Sequence, residues 1–462
     1  GGHFSYTYNA VGALVTLTDP NDNTFRFDYD AAGRPVTITD ALDGEVGYTY
    51  SDVGDLIAIT NPAGETLRFG YDALHRPIST TNALGQTTYV GYDAVGNRTV
   101  ITDASGVTYH IRYDALNRPI TMTDASGAEV TVAYNALGNP TALTDPLSRT
   151  TTFEYNALSR LIKVTDPLSG VTAYGYDGIG NLTVVTDSRQ HTTSYVYDAL
   201  NRLVSQTDPL ANVTRYAYDV LGNTTVITDA DSGVTTFSYD ALSRLTQVHY
   251  ANDAVTFAYD AVGNRTAMTD TSGTTTYAYD AMNHPLTVTT SYSGSVAYQY
   301  DAAGRRTQLI YPTGEVVTYT YDAAGRPITV TDWSDRVTAY RYDAAGRVLT
   351  ATLPNGVRTA YAYDDTGRVR QIAHTYSDTL LARYTHKLDA LGNRVKLTET
   401  IRSVPTDTLQ TRVITYTYDD LNRLLAATYS TGETFSYVYD AIANRTVMTD
   451  AAGRHTYTYD AA

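Results

Sequence analysis

The sequence predicts an all-β protein: a long antiparallel meander of two-stranded repeats of about 21 residues, coiled into a spiral β-sheet shell or tube. Three observations predict it. A Tyr-Asp pair returns at a fixed interval, each interval carries two tight-turn signals, and side-chain character alternates between the turns.

The interval comes first. Tyr followed by Asp, or by a close substitute, stands at Tyr8, Tyr29, Tyr50, Tyr71, Tyr92 and Tyr113, and the 21-residue step holds through Tyr197 to Tyr239. The series continues through Tyr259, Tyr279, Tyr300, Tyr321, Tyr342 and Tyr363, slips at Leu388, and resumes at Tyr418, Tyr439 and Tyr459, making 22 anchors.

The turn signals are of one kind. Asp30-Ala31-Ala32-Gly33 and Asp93-Ala94-Val95-Gly96 follow anchors, whereas Asp103-Ala104-Ser105-Gly106 and Asn61-Pro62-Ala63-Gly64 stand about ten residues later. A carboxylate or amide at the first position, Pro or Ala next and Gly fourth fit a type I turn followed by a left-handed residue.

Between turns, Tyr48 and Tyr50 or Tyr319 and Tyr321 lie two apart and share a face, as do Val36 with Ile38 and Ile120 with Met122. The intervening positions, such as Thr37, Thr49 and Thr121, make the other face rich in hydroxyls. About 43 strands follow from this count. At about 4.8 Å per strand the ribbon would run about 200 Å, too far to stay flat against its own twist.

Composition agrees with strands and turns: 42 Tyr against 8 Phe and 1 Trp, with 33 Gly. A net charge of −16 argues against nucleic acid and anionic membrane as partners. No apolar run reaches the length of a membrane-spanning helix, so membrane insertion is not expected. The absence of Cys removes disulfides, thiolate nucleophiles and cysteine-based zinc sites.

One continuous repeat domain is expected, regular over 1–363 and 418–462 and irregular over 364–417, as part of a longer protein. In the irregular stretch Arg394–Arg402 and Leu409–Tyr418 read as longer strands joined by residues 403–408. This hairpin, with Arg394, Arg402, Pro405 and Arg412, is expected to contact an adjacent turn or a partner. Both ends fall in turns, so further repeats of the same chain or neighbouring subunits are expected to cover them. A second period of 42 residues sets Arg76, Arg118 and Arg160 against Asn97, Asn139 and Asn181, which reads as spacing of charge along one edge.

The unit Tyr197-Asp198-Ala199-Leu200-Asn201-Arg202-Leu203, followed by Thr207-Asp208-Pro209-Leu210, resembles the RHS or YD-repeat family, and the resemblance covers nearly the whole chain. That family includes bacterial polymorphic toxins, toxin-complex shells and teneurins. The resemblance implies a spiral β-sheet cocoon, often around an encapsulated polypeptide, although no self-cleaving aspartate site can be placed in this sequence.

No catalytic residue, cofactor site or metal site is expected. The Asp rows are read as acceptors for their own turns rather than calcium ligands, and His3, His75, His191 and His284 are scattered singly. The structural anchors are taken as Tyr29, Asp30, Gly33, Tyr92, Asp93, Gly96, Tyr197, Asp198, Tyr321, Asp322 and Gly325. Nucleophile elbows, phosphate loops and dinucleotide fingerprints are missing. Asn-x-Thr sequons at Asn97, Asn181, Asn212, Asn223, Asn264 and Asn444 license surface exposure only. The expected role is a non-enzymatic wall of a hollow shell, or an extracellular tube or fibre, in an exported bacterial protein. The alternative is a surface adhesin binding glycans or receptors through its tyrosine rows or the 364–417 hairpins.

Overall fold

The Tyr-Asp turn fixes the local geometry from which everything else follows. Gly33 N–H donates to Asp30 O at 3.0 Å and Asp30 N–H to Arg34 O at 2.9 Å, with Gly33 at φ +77°, a left-handed conformation that a Cβ disfavours. The register slips by one residue between Asp28 and Tyr29, so each anchor tyrosine lies at a β-bulge that strengthens local twist. Where glycine is missing, Asn or Ser usually takes the same conformation, as at Asn117 (φ 59°) and Ser159 (φ 57°), with His75 (φ 59°) and Ala443 (φ 73°) doing so at single turns.

The computed structural model describes residues 2–404 and 406–460. These form 43 strands, and the described residues contain no helix. Strands pair antiparallel with their sequence neighbours: Thr24–Tyr29 with Pro35–Thr39, then Pro35–Thr39 with Glu45–Tyr50. The expected meander is therefore present.

Cross-strand partners sort by face. Tyr48 opposes Ile59 and Tyr319 opposes Val330 on one side, while Thr49 opposes Ala58 and Thr320 opposes Thr329 on the other. Threonine pairs close the second turns, with Thr18 to Thr24 and Thr60 to Thr66 both at 2.9 Å between hydroxyl oxygens. Within one strand Thr121 is 7% exposed while Met122 beside it is 50% exposed. Among the described residues no large side chain is fully buried. One tight apolar cluster joins Leu397, Ile414 and Ala427 under Tyr384, Tyr416, Tyr429 and Phe435.

By contact the chain falls into two compact units, one of Gly1–Val90, Tyr218–Ile227 and Gly233–Val348, the other of Gly91–Ala217, Thr228–Ser232 and Leu349–Ala462. Each unit holds an earlier and a later pass of the ribbon.

Candidate functional site

The recurring chemistry sits at the turns. Asp30 Oδ1 accepts the N–H groups of Ala32 at 2.9 Å and Arg34 at 3.0 Å, while Oδ2 takes Arg34 Nε at 2.7 Å. Asp198 repeats this with Leu200 and Arg202, and Asp322 with Ala324 and Arg326. Asp93 does the same with Val95 and Asn97, its outer oxygen taking the Asn97 amide at 2.9 Å. The Arg34 backbone and guanidinium hold Asp30 below the ordinary carboxylate pKa; the Asn97 amide leads in doing so for Asp93. Gly96 and Gly325 are left-handed at φ +99° and +77°, and Asn201 stands in for glycine at +61°.

Most anchor tyrosines reach back to the preceding unit. Tyr197 OH donates to Leu182 O at 2.9 Å and Tyr321 OH to Arg306 O at 2.7 Å, spanning 15 residues in each case. Burial raises the pKa of both phenols above the ordinary value. The arginine of the preceding turn covers the ring: Arg34 lies 4.5 Å from the Tyr50 centroid and Arg118 4.6 Å from that of Tyr134.

The 42-residue alternation has a different cause from charge spacing. Asn97 Nδ2 donates to Asn117 Oδ1 in the next turn at 2.9 Å, and Asn181 does the same to Asn201 at 3.1 Å. Arginine turns instead send Nη1 to the next turn's first carbonyl, as Arg118 does to Asn135 O at 3.2 Å and Arg160 to Asp177 O at 3.0 Å. Asparagine units thus need a polar left-handed residue ahead of them, whereas arginine units need only backbone. Consecutive arginines at 305, 326, 347 and 368 each pair with the aspartate of their own turn at 2.6–2.8 Å, so neighbouring guanidiniums do not have to be kept apart.

The ribbon's two edges are unlike. In the first unit Arg305, after an anchor turn, meets Glu65, after a second turn, at 2.6 Å, and Asn21 reaches Asp260 at 2.9 Å. In the second unit Arg149 bonds Asp419 O at 3.1 Å and Asn422 Oδ1 at 2.9 Å, while Arg189 pairs with Asp440 at 3.2 Å. All of these place the second-turn edge of an earlier pass against the anchor-turn edge of a later one. A cleft of about 660 Å³ lies on this seam in the first unit, lined by Asp40, Leu42, Asn61, Met282, His284 and Asp301. Asp40 and Asp301 are taken up by their own turns and His284 Nδ1 by Asp280 at 3.0 Å.

The irregular region contains two long hairpins. Arg394–Arg402 and Leu409–Tyr418 form as expected; Val369–Tyr376 and Thr379–Leu388 form a second that pattern reading missed. Its signal was Ser377-Asp378, both at positive φ, a two-residue turn without the usual glycine. The guanidiniums expected to make outside contacts serve the sheet: Arg394 covers Tyr416 at 4.9 Å, Arg402 Nε bonds Leu380 O at 2.8 Å, and Arg412 pairs with Glu399 at 2.6 Å. Pro405 lies outside the described residues.

Comparison with known proteins follows this geometry. The RHS Repeat family model matches residues 8–45, 50–87, 92–129 and 134–171 and overlapping stretches to 234; the Teneurin YD-shell model matches 220–393. No curated protein matches the chain. The crystal structure of TcdB2-TccC3-Cdc42 superposes with a TM-score of 0.79 at 15% identity, covering 98% of this chain and 34% of that one. TcdB2-TccC3-TEV gives 0.77 at 15% identity over 99% and 35%, and the Photorhabdus luminescens Tc holotoxin pore gives 0.77 at 15% over 98% and 33%. This chain thus spans about a third of the length of those chains.

Proposed function

Because the chain belongs to the RHS and YD-repeat family, we propose that it is a non-enzymatic wall segment of a hollow shell that encloses a polypeptide. The observation that carries this reading is the single-layer construction. Nearly every recurring side chain works inside the ribbon: Asp closes its turn, Arg covers a ring, and Tyr bonds back 15 residues. A sheet made this way needs no second layer to hold its strands, so one face is left free to line a space. Export to the cell exterior belongs to the same proposal.

The adhesin alternative asks the tyrosine rows to stack on sugars. Where arginine already covers the ring and the hydroxyl is donated to a carbonyl, that surface is occupied, which favours the wall.

The test is expression of the complete reading frame, followed by limited proteolysis and mass spectrometry of what remains assembled. Enclosure predicts a fragment from outside the repeats that resists protease while the wall is folded and is degraded after unfolding. Equal digestion in both states would refute enclosure.

A further inference from the structure

The chain has three lysines, at 163, 387 and 396, and all of them stand on the same rung of the repeat. That rung lies beside the bulge at the anchor. In one unit Lys163 is opposite Glu154, the residue before Tyr155, and the two pair at 2.9 Å. At the equivalent rung beside Leu388, Lys387 and Lys396 are directly opposite each other. Like charges placed so destabilise a pair of strands, and elsewhere the rung avoids them, as with Thr49 opposite Ala58 or Gln299 opposite Gln308. Folding therefore supplies no reason for this pair.

Two arginines share the face. Arg383 stands four residues before Lys387, about 13 Å along the strand, and its opposite partner Ala373 pairs in turn with Ala360, two residues after Arg358. Arg358, Arg383, Lys387 and Lys396 are all exposed, and none has an ion-pair partner among the described residues. The five strands Val357–Tyr363, Val369–Tyr376, Thr379–Leu388, Arg394–Arg402 and Leu409–Tyr418 hold eight Lys or Arg residues and one carboxylate. That carboxylate, Glu399, lies on the other face and is taken by Arg412 at 2.6 Å. A chain of net charge −16 thus concentrates unanswered positive charge on one face of its long hairpins. Passes of the ribbon meet edge to edge, as Arg149 and Arg189 show, so another pass would not cover a face.

We propose that this face docks an acidic segment of a partner polypeptide, whose carboxylates do for Lys387 and Lys396 what Glu154 does for Lys163. The side chains between the cations are small, with Ala373, Thr385 and Thr398 among them, so the face has no ring on which a base could stack and no apolar residue to enter a lipid surface. Repulsion from the rest of an acidic chain also works against a long polyanion, whereas a short acidic segment meets only the local positive field. Docking of this kind needs no enclosed cargo, so its failure and the failure of enclosure read out separately.

Fluorescence anisotropy of a labelled octaglutamate peptide with the 462-residue chain tests it, with saturable binding expected at low ionic strength and weakening as salt is added. Lys396→Glu sets opposite charges on the rung. It should weaken peptide binding by about ten-fold or more while raising the hydrogen-exchange protection of Thr379–Leu388 and Arg394–Arg402, so that lost binding cannot be put down to lost structure. Lys163→Ala, on the rung already paired, should bind as the wild type does. Absence of saturable binding by the wild-type chain would overturn the proposal, as would a Lys396→Glu variant that binds equally well. Tighter binding of an oligothymidylate or of phosphatidylserine vesicles than of the peptide would overturn the choice of partner.

Discussion

The guanidinium carbon of Arg326 lies 4.7 Å from the ring centroid of Tyr342, the anchor of the following unit. The same side chain gives Nε to Asp322 at 2.8 Å and Nη1 to Asp343 O at 3.1 Å, so one residue closes its own turn, caps the next and covers a ring. Replacing Arg326 with Ala should destabilise the strands Val337–Tyr342 and Pro327–Thr331 by about 1–2 kcal/mol, from the ring contact and the charged hydrogen bonds together. Lysine should recover little, because it cannot fork between two acceptors. Hydrogen exchange of these two strands is the readout, and protection unchanged in R326A would contradict the assignment.

Ile414 is 2% exposed and belongs to the one tight apolar cluster among the described residues. Ile414→Ala should cost about 2–4 kcal/mol, whereas the same change at the 42%-exposed Ile401 should cost well under 1 kcal/mol. Denaturant unfolding followed by exchange at the long strands measures both. Equal effects would mean that the cluster is not packed as described.

Ala443 holds φ +73° at the left-handed position that glycine takes in most anchor turns, and its side chain is exposed. Ala443→Gly relieves the Cβ clash without removing a contact. Stability of the strands Thr434–Tyr439 and Arg445–Asp450 should rise by about 0.5–1 kcal/mol. A loss of stability in a protease-protection assay would count against the turn type.

The turn aspartates set the acid limit. Asp30, Asp198 and Asp240 titrate below 3.8 chiefly because backbone N–H groups of Arg34, Arg202 and Arg244 donate to them; for Asp114 the Arg118 side chain leads. A lowered folded-state pKa stabilises the fold fully above the unfolded value and loses that contribution as pH falls through the folded one. Stability should be level from neutrality to about pH 5 and fall below about pH 4, with many turns failing together. Circular dichroism along an acid titration checks this, and a main transition near pH 6 would place control in histidine instead.

Much of the fold was readable because its decisive residues are local. Gly33, Asp30 and Tyr29 lie within five positions of one another, and their turn chemistry needs no distant partner to be recognised. The role of the alternating Arg and Asn was not readable. It rests on Asn97 reaching Asn117, twenty residues on, and on Arg118 reaching a backbone carbonyl that no side-chain pattern reveals. The seam was hidden for the same reason: Glu65 and Arg305 are 240 residues apart, and nothing in either turn marks the other as its partner. The hairpin from Val369 to Leu388 escaped because Ser377-Asp378 makes its turn without glycine.

The backward bond of the anchor tyrosine gives the ribbon a direction of construction. Tyr197 can be fastened only once the strand carrying Leu182 exists, and Tyr321 only once Arg306 is in place. A chain emerging amino end first always presents the acceptor before the donor. Each finished unit is thus the template on which its successor is clipped, and assembly can keep pace with synthesis without waiting for the far end to arrive.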